Sequence, residues 1–211
     1  RLVSARAARV FAQRAPQAVP FDPQDTFCKT LLEEGLARSC TPNFEIRVSA
    51  LPDDPRIADL WGFAAEGGID APRAWDVNTG SEDVVVAVVD TGIDYNHPEL
   101  TGNVWVNAGE IPGNGVDDDR NGYIDDVHGI SALNGFGDPM DENGHGTHVA
   151  GTIGARGNNG TGVAGINWRV KLMGCKFLNA NGSGSLAGAI EAINYLVMMK
   201  RRGANVRVAN N

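Results

Sequence analysis

Two predominantly apolar runs stand out in the hydrophobic pattern, DVVVAVVD at residues 83–90 and VKLMGCKFL at residues 170–178. An apolar run without polar alternation is typical of a parallel strand that is buried on both faces. The segment NVRVAN, at residues 205–210, also has the composition of a strand. We therefore predict a strand at each of these three places.

Between the second and third of these strands the apolar spacing becomes helical. Leu186, Ile190, Ile193 and Val197 recur at intervals of a helical turn, basic residues follow, and Gly203 ends the pattern. A strand, a helix and a strand in succession predict a βαβ unit. The predicted fold class is accordingly α/β with a parallel sheet.

Composition excludes two classes of partner. The chain has 211 residues and a net charge of −8, and no basic stripe offsets the acid, so nucleic acid is not an expected partner. No apolar run reaches the roughly 18 residues that a membrane span requires, so we expect no membrane partner. Cys28 and Cys40 are candidates for a disulfide if the protein is exported, and Cys175 is expected to be an inert buried thiol.

The first 50 residues differ from the rest of the chain. They include a short helical pattern, LLEEGL, and a strand-like alternation, NFEIRVSAL, before the linker LPDDPR at residues 51–56. The first twenty residues carry four arginines and no acid, which fits a solvated basic stretch or the remnant of a transit-type peptide. We predict a boundary between residues 1–50 and a domain at residues 51–211.

Two residues suited to catalysis stand at the ends of predicted elements. Asp90 ends the first apolar run, and ligands bind outside the carboxyl ends of parallel strands. A turn cap is the alternative role. His145 begins HGTHVAGTIGA, a run of small residues that suits a tightly packed helix. An aspartate can hold an imidazole in one tautomer while the histidine takes a proton from a nucleophile. The i, i+3 spacing of His145 and His148 does not fit a zinc motif, although a structural histidine pair is an alternative.

Five aspartates lie within DDDRNGYIDD at residues 117–126. The segment fits the start of an EF-hand-type loop, D-x-[DN]-x-[DN]-G, with Gly122 at the turn and His128 in place of the terminal glutamate. Acids this close repel one another unless a hard cation neutralises them, so we predict a calcium site, with a solvated acidic turn as the alternative. The predicted ligands are Asp117, Asp119, Asn121, Tyr123 through its carbonyl, and Asp125, with Asp126 as the alternative to Asp125.

The stretches VVVAVVDTGIDYNHPEL and ENGHGTHVAGTIGA resemble the two N-terminal signature motifs of the subtilisin-like serine proteases. The segment GVAGINWRVKLMGCKFLNANGSGS resembles the stretch after the histidine motif in many members. The resemblance covers roughly residues 51–211. It implies a partial doubly wound parallel sheet of the subtilisin type, with helices on both faces and a small pro-segment before it.

The same resemblance implies functional residues and partners. It implies a secreted endopeptidase in which Asp90 orients His145, and His145 is the general base and later the general acid. The segment Gly182, Ser183 and Gly184 resembles the edge that pairs with an extended peptide substrate. The chain's own pro-segment is a further implied partner. A second calcium site is implied at Asp54, Glu99 and Asn159, with carbonyls near Gly157, Thr161 and Val163.

The resemblance is incomplete at the nucleophile. The family's serine stands in a G-T-S-M-A-type motif well after the histidine, and no serine of this chain has that context. The family's oxyanion-hole asparagine also has no match. We therefore expect the N-terminal part of a protease, which carries the aspartate and histidine of the triad and is inactive alone. The alternative function is a non-catalytic calcium-binding module or a pseudoenzyme.

Overall fold

The computed structural model describes Thr30 and residues 32–36, 51–135 and 137–211. The chain divides into two units, Arg1–Val48 and Ser49–Asn211, each described by itself. In the first unit, the N–H of Glu34 donates to the carbonyl of Thr30 at 2.9 Å and closes a helical turn. The predicted pairing of Cys28 with Cys40 and most of the predicted pro-segment lie outside the described residues.

The second unit contains a four-stranded parallel sheet in the order β2-β3-β1-β4. Its strands are β1 (Gly80–Asp90), β2 (Gly129–Ser131), β3 (Arg169–Lys176) and β4 (Val206–Asn210). The helices are α1 (Ala71–Trp75), α2 (His145–Gly154) and α3 (Leu186–Arg201), after 3-10 turns at Ile57–Asp59 and Trp61–Phe63. The three predicted strands and the parallel α/β class are confirmed.

The central strand β1 is buried on both faces because successive side chains point to opposite sides of the sheet. On one side, Val85, Ala87 and Val89 share a core cluster with α3 residues that include Tyr195 and Leu196. On the other side, β1 contributes Val86 and Val88 to a cluster that contains Ala150 of α2. The prediction of helices on both faces of the sheet is therefore confirmed.

Helix α3 forms as predicted, but the residues whose spacing indicated it are on its exposed side. Leu186 is 79% exposed, and Ile190, Ile193 and Val197 are between 44% and 51% exposed. The helix is apolar on more than one side. The helical spacing therefore predicted the helix correctly but did not identify the side that packs against the core. Its buried residues are Gly188, Ala192, Tyr195, Leu196 and Met199.

The carboxyl ends of β1 and β3 lie side by side, with Asp90 in register with Lys176. Cys175, one residue earlier on β3, is fully buried, and burial raises the pKa of its thiol, which agrees with an inert role. In the described part of the chain, no helix is long and apolar enough to cross a membrane.

Candidate active site

Asp90, the last residue of β1, is hydrogen-bonded to His145, the first residue of α2. The Nδ1 atom of His145 lies 2.7 Å from Oδ1 and 2.9 Å from Oδ2 of Asp90. The side chain of Asp90 is 11% exposed, whereas that of His145 is 65% exposed. The hydrogen bond to Asp90, and then the negative charge of Asp90, raise the pKa of His145. With Nδ1 bound to the carboxylate, Nε2 is the ring nitrogen left to exchange a proton with another molecule.

Asp90 is held by the strand next to it. Its carbonyl accepts from the N–H groups of Phe177 at 3.0 Å and Leu178 at 3.2 Å, directly after β3. Its carboxylate accepts from the N–H of Thr91 at 2.7 Å. These bonds fix both the backbone and the carboxylate at the end of the sheet, where ligands bind in open α/β folds.

His145 is held by the loop that begins α2. Gly144, the residue before it, has a φ of 99°, which glycine adopts without strain. The carboxylate of Asp141 accepts from the N–H of Gly144 at 3.0 Å, and from Thr147 through its N–H at 2.9 Å and its hydroxyl at 2.6 Å. Burial opposes ionisation of Asp141, but these hydrogen bonds outweigh it and lower its pKa to about 2. An ionised Asp141 thus caps the helix at neutral pH.

Helix α2 approaches the end of β1 closely at Gly146. The N–H of Gly146 donates to the hydroxyl of Thr91 at 2.9 Å. A Cβ atom on Gly146 would lie 2.1 Å from the backbone oxygen of Gly92 and 3.2 Å from the Cβ of Asp90. The absence of a side chain at Gly146 therefore allows the contact between Asp90 and His145.

Replacing Gly146 with alanine is expected to destabilise the fold by about 1–3 kcal/mol, because the added methyl group overpacks against backbone that cannot rotate away. Gly151 is a matched control on the same helix, since a Cβ there meets nothing within 4 Å. Gly151→Ala should stabilise by up to about 1 kcal/mol, because alanine is the better helix former. Denaturant unfolding measures both changes, and equal effects of the two substitutions would contradict the close approach.

The predicted substrate-pairing segment lies beside the histidine loop. Gly182, Ser183 and Gly184 are exposed, and Gly184 forms an antiparallel bridge with Leu178 just after β3. The Nδ2 atom of Asn143 donates to the carbonyl of Ala180 at 2.8 Å and joins the two loops. The structure thus brings an exposed stretch of backbone close to the loop that carries His145.

A buried pair of carboxylates lies at the second predicted calcium site. Asp54 is 2% exposed and Glu99 is 6% exposed. Oδ1 of Asp54 and both carboxylate oxygens of Glu99 are buried without a hydrogen-bond partner among the described residues. Burial and then the negative charge of Asp54 raise the pKa of Glu99. His97, Asn159 and the backbone of Val163 offset part of this rise. These hard, unpartnered oxygens fit a calcium ion.

The acidic loop gathers a different set of carboxylates from the predicted one. Oxygen atoms of Glu110, Asp119 and Asp126 lie within 4.8 Å of one another. Burial raises the pKa of Asp126 to about 6, against hydrogen bonds from Tyr195, at 2.6 Å, and from the two amides Asn121 and Asn107. Sequence reasoning missed Glu110, which precedes the motif, and offered Asp126 only as an alternative to Asp125.

Two other predicted ligands, Asp117 and Asp125, bond to backbone N–H groups of the loop itself. Asp117 accepts from the N–H groups of Asn121 at 2.9 Å and Gly122 at 2.8 Å. Asp125 accepts from the amides of a turn at residues 113–115. The ring of Tyr123 packs edge-on against Tyr195 with centroids 5.1 Å apart. Of the predicted ligands, Asp119 is the one carboxylate in the cluster, and the side chain of Asn121 donates to it at 3.3 Å and to Asp126 at 2.8 Å.

A guanidinium already lies beside this cluster. The Nη2 atom of Arg202 is 3.1 Å from Oδ1 of Asp119 and 2.5 Å from its backbone oxygen. The contact to Oδ1 is an ion pair whose angles do not meet those of a hydrogen bond, and Oδ1 has no hydrogen-bond partner among the described residues. The guanidinium of Arg202 therefore neutralises part of the charge of the carboxylate cluster.

Comparison with known proteins identifies the family. Residues 81–211 match the subtilase family model, Peptidase_S8. The chain is 45% identical over 139 residues to Subtilisin-like protease 1 of Plasmodium berghei (strain Anka), which covers 63% of this chain and 23% of that protein. It is 38% identical over 161 residues to the Major intracellular serine protease of Bacillus subtilis (strain 168), which covers 75% of this chain and 44% of that protein.

Among solved structures, a protease from Pseudoalteromonas arctica matches with a TM-score of 0.46 and 32% identity, over 67% of this chain and 43% of that one. The chain spans less than half the length of each of these three relatives. The family model matches more than half of the chain, and the chain therefore belongs to the subtilase family of serine endopeptidases.

Proposed function

We propose that this chain supplies the orienting acid, Asp90, and the general base, His145, of a serine endopeptidase. The observation that carries the proposal is the hydrogen bond from Nδ1 of His145 to both carboxylate oxygens of Asp90, at 2.7 Å and 2.9 Å. The buried carboxylate orients the imidazole, and the exposed imidazole can reach a nucleophile on its solvent side.

The chemistry depends on the position of the proton. Asp90 holds the proton of the neutral imidazole on Nδ1, so Nε2 is free to accept the proton of a serine hydroxyl as it attacks the peptide carbonyl. The charged imidazole is stabilised by Asp90, which raises the pKa of His145. Nε2 then gives the proton to the leaving amine, and a water molecule repeats the cycle on the acyl-enzyme.

The nucleophile is proposed to be a serine other than Ser183 and Ser185, which lie in and next to the predicted substrate-pairing segment. The hydroxyl of Ser185 caps α3 by accepting from the N–H of Gly188 at 3.0 Å. The backbone of Ser183 is part of the turn after β3, where its carbonyl accepts from Asn179 at 2.8 Å. In the described part of the chain, no serine hydroxyl is hydrogen-bonded to His145. This chain alone is therefore proposed to be inactive.

The proposed substrate is an extended peptide that pairs with the backbone of Gly182, Ser183 and Gly184. Their exposure and their link to the histidine loop through Asn143 support this placement. Main-chain pairing confers affinity without strong sequence preference. Residues 1–50 are proposed to be the pro-segment of the same protein, on the basis of their change in composition.

Calcium is the proposed cation, held by Asp54, Glu99 and Asn159. The three unpartnered carboxylate oxygens of Asp54 and Glu99 support this assignment over the acidic loop. When bound, calcium would supply the positive charge that two buried acids otherwise lack, and their carboxylate oxygens would be its ligands. A site of this kind suits a compartment rich in calcium, so we propose that the protein is secreted, although one relative is named as intracellular.

A fluorophosphonate probe, which reacts with activated serines, tests the proposed function on the full-length gene product. We expect the probe to label one serine, and His145→Ala to abolish the labelling because the general base is lost. His148→Ala is the matched control, since His148 is an exposed histidine on the same helix and should not affect labelling. Absence of labelling in the unsubstituted protein would instead favour a non-catalytic module.

A further inference from the structure

Lys176 is a buried cation at the end of β3. It is 4% exposed, and it is the register partner of Asp90 on the neighbouring strand. Its Nζ atom donates to the carbonyl of Met140 at 2.7 Å and to Oε2 of Glu142 at 2.9 Å. A buried ammonium group is costly unless its hydrogen bonds are satisfied, so these two contacts hold their partners firmly.

Both partners of Lys176 belong to the loop at residues 139–144, which leads directly into His145. The loop is fastened to α2 by Asp141, which bonds to Thr147. The hydroxyl of Thr147 in turn accepts from the N–H of Asp94, which follows Asp90 in the chain, at 2.9 Å. The loop therefore moves with the helix that carries His145, and Lys176 joins this assembly to the sheet that carries Asp90.

We propose that Lys176 is a positioning residue for His145: by fixing Met140 and Glu142 on the end of β3, it holds the imidazole against Asp90. This inference rests on the proposed function for its catalytic meaning, since positioning matters for the reaction only if His145 is the base. Its physical content, the coupling of Lys176 to the contact between Asp90 and His145, is measurable without activity.

Positioning and direct electrostatics predict opposite effects on His145. If Lys176 acts only through its charge, its removal takes away a nearby positive charge and the pKa of His145 rises. If Lys176 positions the loop, its removal loosens the hydrogen bond to Asp90, which is the main cause of the raised pKa, and the pKa of His145 falls. The other charged groups that face the imidazole, Asp90 and Asp141, are unchanged in both cases.

The test is an NMR titration of His145 in the 211-residue chain carrying Lys176→Met. We expect the pKa of His145 to fall towards its ordinary value of 6.5. Lys171→Met is the matched control, because Lys171 lies on the same strand and its Nζ also donates to a backbone carbonyl, that of Gly102 at 3.0 Å. The control should leave the titration of His145 unchanged. A pKa that rises or stays the same in Lys176→Met overturns the proposal.

A second variant decides the matter if Lys176→Met does not fold. Glu142 has a side chain that is 67% exposed, so Glu142→Gln weakens one of the two contacts of Lys176 without disturbing the core. We expect amide exchange at Thr147 to become roughly threefold faster, because the ion pair is lost while the glutamine carbonyl can still accept from Lys176. Unchanged exchange at Thr147 overturns the proposal. Neither measurement uses proteolysis, so failure here is distinguishable from failure of the proposed function.

Discussion

If the proposed function is correct, replacing Asp90 with asparagine is expected to lower kcat of the full-length gene product about 10⁴-fold, the loss known for the aspartate of a serine-protease triad. Asparagine fills the same space but can present an N–H to Nδ1 of His145, which moves the imidazole proton to Nε2. A protonated Nε2 cannot accept the proton of the serine. KM should change little, because Asp90 is buried beneath His145 and is 8% exposed. Steady-state kinetics on a peptide substrate measure both constants.

The pH dependence gives a second readout of the same substitution. The base must be neutral to act, and Asp90 raises the pKa of His145, so activity rises with pH through that raised value. In Asp90→Asn the residual activity should persist to lower pH. Asp94→Asn is the matched control, because the carboxylate of Asp94 accepts from the N–H of Asn96 at 3.0 Å in its own loop. A loss of less than tenfold for Asp90→Asn, or an equal loss for Asp94→Asn, would contradict the assigned role.

Glu99→Gln is expected to be less stable to heat than the unsubstituted chain in calcium, but more stable than the unsubstituted chain in chelator. In excess calcium the unsubstituted chain gains about 2.7 kcal/mol at a hundred times Kd, which raises Tm by about 5–10 °C. The variant loses most of that gain because a ligand oxygen becomes an amide. In chelator the variant should be the more stable of the two, since it no longer buries the charge of Glu99 beside Asp54, which lies 2% exposed.

Thermal unfolding in calcium and in chelator measures this reversal. Asp53→Asn is the matched control, because Asp53 is an exposed carboxylate adjacent to Asp54 that accepts from the N–H of Gly160 at 2.9 Å. It should retain most of the calcium-dependent rise in Tm. If Glu99→Gln keeps the full calcium-dependent rise, the cation binds elsewhere, and the acidic cluster with Asp119 becomes the next site to test.

Local patterns in the sequence were sufficient for three of the four strands, although not for the short strand β2, and they selected Asp90 and His145, which the structure brings together. The apolar run ending in Asp90 is buried on both faces because helices cover the sheet on both sides, which is the condition that produces such a run. The run of small residues from His145 predicted a closely packed helix, and Gly146 shows why, since a side chain there would collide with backbone. In both cases packing restricts residue type at consecutive positions.

Contacts between distant segments could not be predicted in the same way. The motif D-x-[DN]-x-[DN]-G identifies Asp119, but Glu110 joins it through the path of the loop rather than through spacing. Asp54 and Glu99 are separated by a short helix, a strand and several turns, and only family resemblance suggested them as partners. The side chain of Lys176 lies in an apolar run, and nothing in that run indicates that its ammonium group bonds to Met140.

Control of the proton on His145 by Asp90 is the central claim, and an NMR titration of His145 in the 211-residue chain and in its Asp90→Asn variant tests it most directly. We expect His145 to titrate above its ordinary pKa of 6.5 in the unsubstituted chain, and the pKa to fall towards that value when Asp90 is replaced. A pKa of His145 that is the same in both chains would contradict the claim.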